Sequence, residues 1–256
     1  MALIAVALPS APPPATAADN PTVAARKQRQ RTAFTDREIV DGFIKTTFGA
    51  EFHLAGHVDR IRKYETPVRV FIHGAPARRQ AQIATVVADI ARYIAHLDIA
   101  VTDDAAAANV NVHLVRERAF DRTVAQYYGR ERAREIRASL DPQCLSGFRK
   151  NEASAIVASD VFLTTDRGDF TFLDCAYEEL LQSLGPINDT ASVPWTMFND
   201  DVRMGFFDVY DQYILNILYH PRIRAGMTMA DVEAVLPQVL PDVRAWVRKI
   251  NNLPAQ

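Results

Sequence analysis

The stretch Glu178-Glu179-Leu180-Leu181-Gln182-Ser183-Leu184-Gly185-Pro186-Ile187-Asn188-Asp189 governs how the rest of the chain is read. Residues four apart on a helix share a face, so Glu178 and Gln182 point the same way and Glu179 sits one step round. Gly185 can take the positive φ that ends a helix, and Pro186 directly after it prevents continuation. Asn188 would then swing back toward the first turn, as the last position of elongated metal-binding motifs does, with Asp189 following it. The segment predicts a helix over about 172–184 with a sharp stop, beside which carboxylates and carboxamides gather.

The spacing resembles the metallopeptidase motif H-E-x-x-H-x-x-G-x-x-H with every histidine replaced. Glu179 stands at the position of the catalytic glutamate. Glu178, Gln182 and Asn188 stand at the three zinc-ligand positions. Downstream, Thr196-Met197-Phe198-Asn199 resembles the S-x-M-[YN] turn that sets a methionine, here Met197, beneath the metal. Asp211 to Tyr219 resembles the D-x-x-x-[IL]-x-x-L-Y helix that closes many metzincins. Together these matches, over roughly residues 150–220, imply a zincin-like α+β fold: a mixed sheet packed by helices, with a helical C-terminal subdomain.

Catalytic zinc takes nitrogen, sulfur or carboxylate ligands and keeps one position open for water. One carboxylate with two neutral amides is a poor zinc set, so no cofactor is expected. Oxygen donors of this kind sit closer to calcium or magnesium. Histidines elsewhere supply no replacement. His53 and His57 are four apart, but Gly56 adjoins the second and no glutamate follows the first. His113 falls on a predicted strand and His73 at the end of one, both as structural residues. His220 follows the closing Leu-Tyr, where a helix C-terminus accounts for it.

A narrower resemblance covers about residues 34–250. Cys175-x-x-Glu-Glu-Leu-x-Gln-x-Leu-Gly-x-x-Asn-Asp, Phe198-Asn-Asp200 and Leu218-Tyr-His-Pro-Arg-Ile-Arg-x-Gly-Met227 are similar to the proteobacterial domain-of-unknown-function family 2927. That resemblance implies exported or lipid-anchored relatives and carries no activity. Lipid anchoring needs a cysteine at the cleavage point, and none lies near Ala17.

The 256 residues are 48% hydrophobic and 23% charged, with net charge −2, which argues against a nucleic-acid partner. The apolar run Met1–Leu8 and the small residues Ala15-Thr16-Ala17 resemble a secretory signal without its basic start. No apolar run is long enough to span a bilayer. Arg26 to Arg31 reads as a solvated basic linker, the alternative being a docking patch. The two cysteines, Cys144 and Cys175, would pair in an exported chain and remain separate buried thiols in a cytoplasmic one. The leader favours the pair.

Residues 1–31 are expected to be a leader and disordered linker, and 32–252 a single domain with an α/β part to about 185 and a helical part from about 186. Thr35-Asp-Arg-Glu38 predicts a capping box opening a helix that closes near Gly49. Pro67–Ile72 and the alternating Asn109–Val115 predict strands, with a helix between them from Ala77 to about His96. Helical segments are expected over 118–139. Glu152–Thr164 reads as a long strand or a hairpin, and helices follow at about 206–219, 229–236 and 241–252. Trp195, Met197, Phe198, Phe206 and Phe207 predict core packing, the alternative being an apolar wall for an extended peptide.

The functional expectation is a periplasmic or secreted, non-catalytic module for a peptide or protein partner in the cell envelope. The alternative is a divergent metallopeptidase or a carboxylate-based hydrolase using Glu179 as base.

Overall fold

The computed structural model describes residues 20–48, 59–139, 143–186 and 188–254. The leader-like stretch, His53, His57 and the stop near Gly49 lie outside them. Among the described residues there are eight α-helices and one five-stranded mixed sheet. The helices are α1 (Pro21–Arg29), α2 (Asp36–Thr47), α3 (Ala77–Tyr93), α4 (Phe120–Tyr128), α5 (Arg130–Ser139), α6 (Asp169–Gln182), α7 (Val209–Leu218) and α8 (Met229–Asn251).

The strands are β1 (Val68–His73), β2 (Ile99–Val101), β3 (Val110–Val115), β4 (Cys144–Lys150) and β5 (Ile156–Thr164), in spatial order β2-β1-β3-β5-β4. All neighbours run parallel except the edge strand β4, which pairs antiparallel with β5. Val110, Val112 and Leu114 of β3 bury one face against the main core with Ile83, Val86 and Ile90 of α3 and Leu180 and Leu181 of α6. Phe162 of β5 turns to the other face and packs with Leu145, Phe120, Val124 and Ile136 of β4, α4 and α5. Strand β5 is therefore covered on both sides, which is why Val161, Phe162 and Leu163 are apolar in succession. The main cluster also takes in Phe198, Tyr213, Ile217 and Val247, so one core runs through both parts of the chain.

Three expectations need correction or narrowing. Residues 21–29 are not linker but helix α1, with Asn20 Oδ1 capping the amides of Thr22 and Val23 and Pro21 in the first turn. Val23 is fully buried, Arg26 bonds the carbonyl of Arg203, and the amide of Val209 donates to Gln30 Oε1 at 3.2 Å.

Second, of the two readings of 152–164 the one long strand holds, as β5, and the hairpin it belongs to starts earlier. Its first arm is Cys144–Lys150, where Ser146 and Gly147 interrupt the alternation that marks a strand. Third, 229–236 and 241–252 are one helix. Pro237 and Pro241 each remove an amide bond, but they lie four apart on the exposed side. The orphaned carbonyls of Glu233 and Pro237 therefore face water, while Val232, Leu236, Val239, Val243 and Val247 keep one buried stripe.

The expected capping box forms at Thr35/Glu38, and a second forms at Thr228/Asp231. No described helix is long and apolar enough to cross a membrane.

Candidate functional site

Helix α6 leaves β5 through Gly168 and is fixed on every side. Arg79 of α3 is buried and pairs with Asp169 in its first turn at 2.9 Å. Tyr177 Oη donates to Asp89 of α3 at 2.6 Å. Cys175 is joined to Cys144 of β4 by a disulfide, which ties the helix to the edge strand. Asp174 accepts from the amides of Met204 and Gly205 at 2.7 and 2.9 Å.

The stop falls where the sequence puts it. Gly185 has φ +142°, and a Cβ there would lie 2.4 Å from the carbonyl oxygen of Arg62 and 2.8 Å from Leu218 Cδ2. Only glycine meets both the backbone angle and that approach. Ser159 Oγ and Tyr219 Oη then take up the carbonyls of Ser183 and Leu184, at 2.9 and 2.8 Å.

Around this stop the predicted site residues separate into three groups. Gln182 Nε2 donates to Asp189 Oδ1 at 2.7 Å. Glu178, Asp189 and Asp200 each offer a carboxylate oxygen, all within 4.8 Å of one another. Asn188 is committed to α2, its amide nitrogens donating to the carbonyls of Lys45 at 2.6 Å and Thr46 at 3.2 Å. Glu179 is buried beside Ser146 of β4, whose hydroxyl is shared with Gln182 Oε1 at 3.4 Å, and leaves Oε2 without a partner.

The electrostatics follow from crowding acids in a poorly hydrated place. Burial pushes the Glu179 carboxyl up to about 8 against the Ser146 bonds, with the charges of Asp189 and Asp200 adding to the rise. Glu178, half-buried, is raised well above the ordinary range by lost hydration and then by the charges of Glu179 and Asp189. The site favours protons or a cationic visitor.

The zinc implied by the motif resemblance does not fit these donors. Two of the three ligand positions carry amides whose nitrogens already bond Asp189 and Lys45. The oxygens of Glu178, Asp189 and Asp200 are donors of the class that takes calcium or magnesium, though those ions usually draw on six or more oxygens.

The methionine turn is built by Asp211 of α7. Its carboxylate accepts Thr196 Oγ1 at 2.5 Å and the amide of Met197 at 2.8 Å, all fully or nearly fully buried. Asp208 caps α7 and abuts Asp211; burial raises both carboxyls, and the charge of Asp208 raises Asp211 further. Met197, Phe198, Phe206 and Phe207 are core residues, while Trp195 stays half-exposed.

Among the described residues, the histidines singled out in the sequence are engaged elsewhere. His113 Nε2 meets Asp160 at 3.1 Å and its ring stacks between His73 and Phe162. His220 lies 3.4 Å from Asp242 of α8. Sequence reasoning missed Ser146 and Asp200. Asp200 lies within the quoted Phe-Asn-Asp, but nothing in local spacing ties it to Glu178.

Fold and site define an α/β protein on a mixed five-stranded sheet, with a carboxylate cluster where the helix after the last strand stops. The chain belongs to the family described as Protein of unknown function (DUF2927), which matches residues 36–238. That span includes α6, the disulfide and the methionine turn and leaves out α1. No curated protein matches the chain, and no solved structure does.

Proposed function

We propose that this chain is an exported zincin-like scaffold that has lost zinc ligation and serves in the cell envelope as a non-catalytic peptide- or protein-binding module. The observation that carries the reading is the fate of the ligand positions: Gln182 is bonded to Asp189 and Asn188 to Lys45, leaving a carboxylate cluster instead of an imidazole set. The order motif helix, methionine turn, closing helix supports the scaffold. The Cys144–Cys175 disulfide supports export, since such bonds persist in oxidising compartments.

The partner chemistry that suits this cluster is cationic. A Lys or Arg side chain offers several donors to Glu178, Asp189 and Asp200 and offsets their mutual repulsion. Calorimetric titration of the full chain with a Lys-rich peptide tests this. Binding that weakens at least tenfold in D189N/D200N is expected. Equal binding by both proteins contradicts the reading.

One observation favours a second reading. Glu179 holds a proton near neutral pH with one free oxygen, as a general acid would. Under this carboxylate-based hydrolase reading, E179Q loses turnover of a peptide substrate while remaining folded. Under the module reading there is no turnover to lose.

A further inference from the structure

A second surface, lined by different residues, lies beside α1. A cavity of about 740 Å³ opens between α1 and the 194–208 segment, walled by Phe34, Pro194, Trp195 and Met204 and rimmed by Arg26 and Arg29. A second cavity, of about 730 Å³, shares Arg31 and Phe34 with the first and carries Arg37, Arg244 and Arg248. The two adjoin at Arg31 and Phe34 as a trough whose apolar floor lies in the first and whose arginines line both.

Half of those arginines lack an acidic partner or other side-chain bond among the described residues. Arg31 pairs with Glu38 at 2.8 Å, and Arg244 pairs with Asp36. Arg29, Arg37 and Arg248 have no ion-pair partner among the described residues. Asp208, the remaining acid on the lining, is buried, and burial raises its carboxyl. Arg31 is held in place over two rings, 4.6 Å from the centroids of Phe34 and of Trp195. Stacking of this kind fixes a cation before any partner arrives.

We infer that this trough docks an acidic, extended segment of a protein partner, its carboxylates on Arg29, Arg37 and Arg248 and an apolar side chain against Trp195. A chain alternating acidic and apolar residues matches both the arginine edges and the floor. A phosphate polymer would leave the floor unused. This docking does not rest on the motif cleft.

Fluorescence anisotropy of the full chain with a fluorescein-labelled peptide of Glu-Leu-Glu-Ser repeats tests it. The counterparts are the same peptide with Gln or with Lys for Glu, and an oligothymidylate. Binding of the Glu peptide alone is expected, with affinity falling at least tenfold between about 50 and about 300 mM NaCl. R29A/R37A/R248A, with an unchanged circular dichroism spectrum, loses at least tenfold. W195A loses affinity without losing the salt dependence, and D189N/D200N binds as the parent does. Should the arginine variant lose its spectrum, R29E/R37E, both exposed, takes its place and is expected to turn the preference toward the Lys peptide. Equal binding of the Gln and Glu peptides, undiminished binding by the arginine variants, or stronger binding of oligothymidylate overturns the proposal.

Discussion

Replacing Glu179 by Gln isolates what it costs to keep an acid in the wall beneath β4. In an unfolded chain the carboxyl titrates near its ordinary 4.5; folded, burial holds it up at about 8. A raised pKa means that the folded state binds the proton more tightly. The stability due to that proton is fully present below about pH 4.5 and is lost as pH rises toward 8. Each pH unit in that window removes about 1.4 kcal/mol. Over the whole window Glu179 accounts for roughly 3–5 kcal/mol, the lower figure allowing for the shared repulsion with Glu178. E179Q keeps the shape and an acceptor for Ser146 but cannot ionise. Urea unfolding at several pH values between 5 and 8 should show the parent weakening more steeply than E179Q, whose remaining slope comes from Glu178, Asp208 and Asp211, with the variant the more stable at pH 8. Parallel curves for the two proteins would refute the buried-acid reasoning, as would an E179Q that is less stable throughout.

The other predictions concern the frame around that acid. The disulfide closes a separation of 31 residues, so C144S/C175S should lower unfolding free energy by about 3–4 kcal/mol in urea titration. G185A forces a Cβ against the Arg62 carbonyl and Leu218, and should lose roughly 2–4 kcal/mol with a lower melting temperature. D211A strips the acceptor from Thr196 Oγ1 and the Met197 amide, two buried donors, at a cost of roughly 2–4 kcal/mol. Trp195 fluorescence should shift in D211A, because that turn directly follows it.

Much of the frame was legible because local chemistry and tertiary context agree. Alternation marked β3, Thr35 announced its helix, and Gly185-Pro186 fixed the stop. What escaped depends on contacts distant in sequence or on exposure. Strand β4 has too short and broken a pattern and owes its state to pairing with β5. Helix α8 continues through two prolines only because both face water. Helix α1 carried a readable signal in Asn20-Pro21, masked by the basic run that follows. At the site, Glu178, Gln182 and Asp189 were legible as neighbours from helical spacing and the turn. Asn188 was expected to swing toward them, but α2 offers its amides two carbonyls, and that position cannot be read from the motif. Asp200 joins the cluster through the path of the 190–200 segment, which no periodicity encodes.

The most direct test of the central claim is the zinc content of the full chain, purified from zinc-supplemented medium and measured by elemental analysis before and after dialysis against a chelator. Trace zinc, with melting temperature unchanged by the chelator, is predicted, because Gln182 and Asn188 present amides already bonded to Asp189 and Lys45. One zinc per chain, removable by the chelator with a fall in stability, would contradict it.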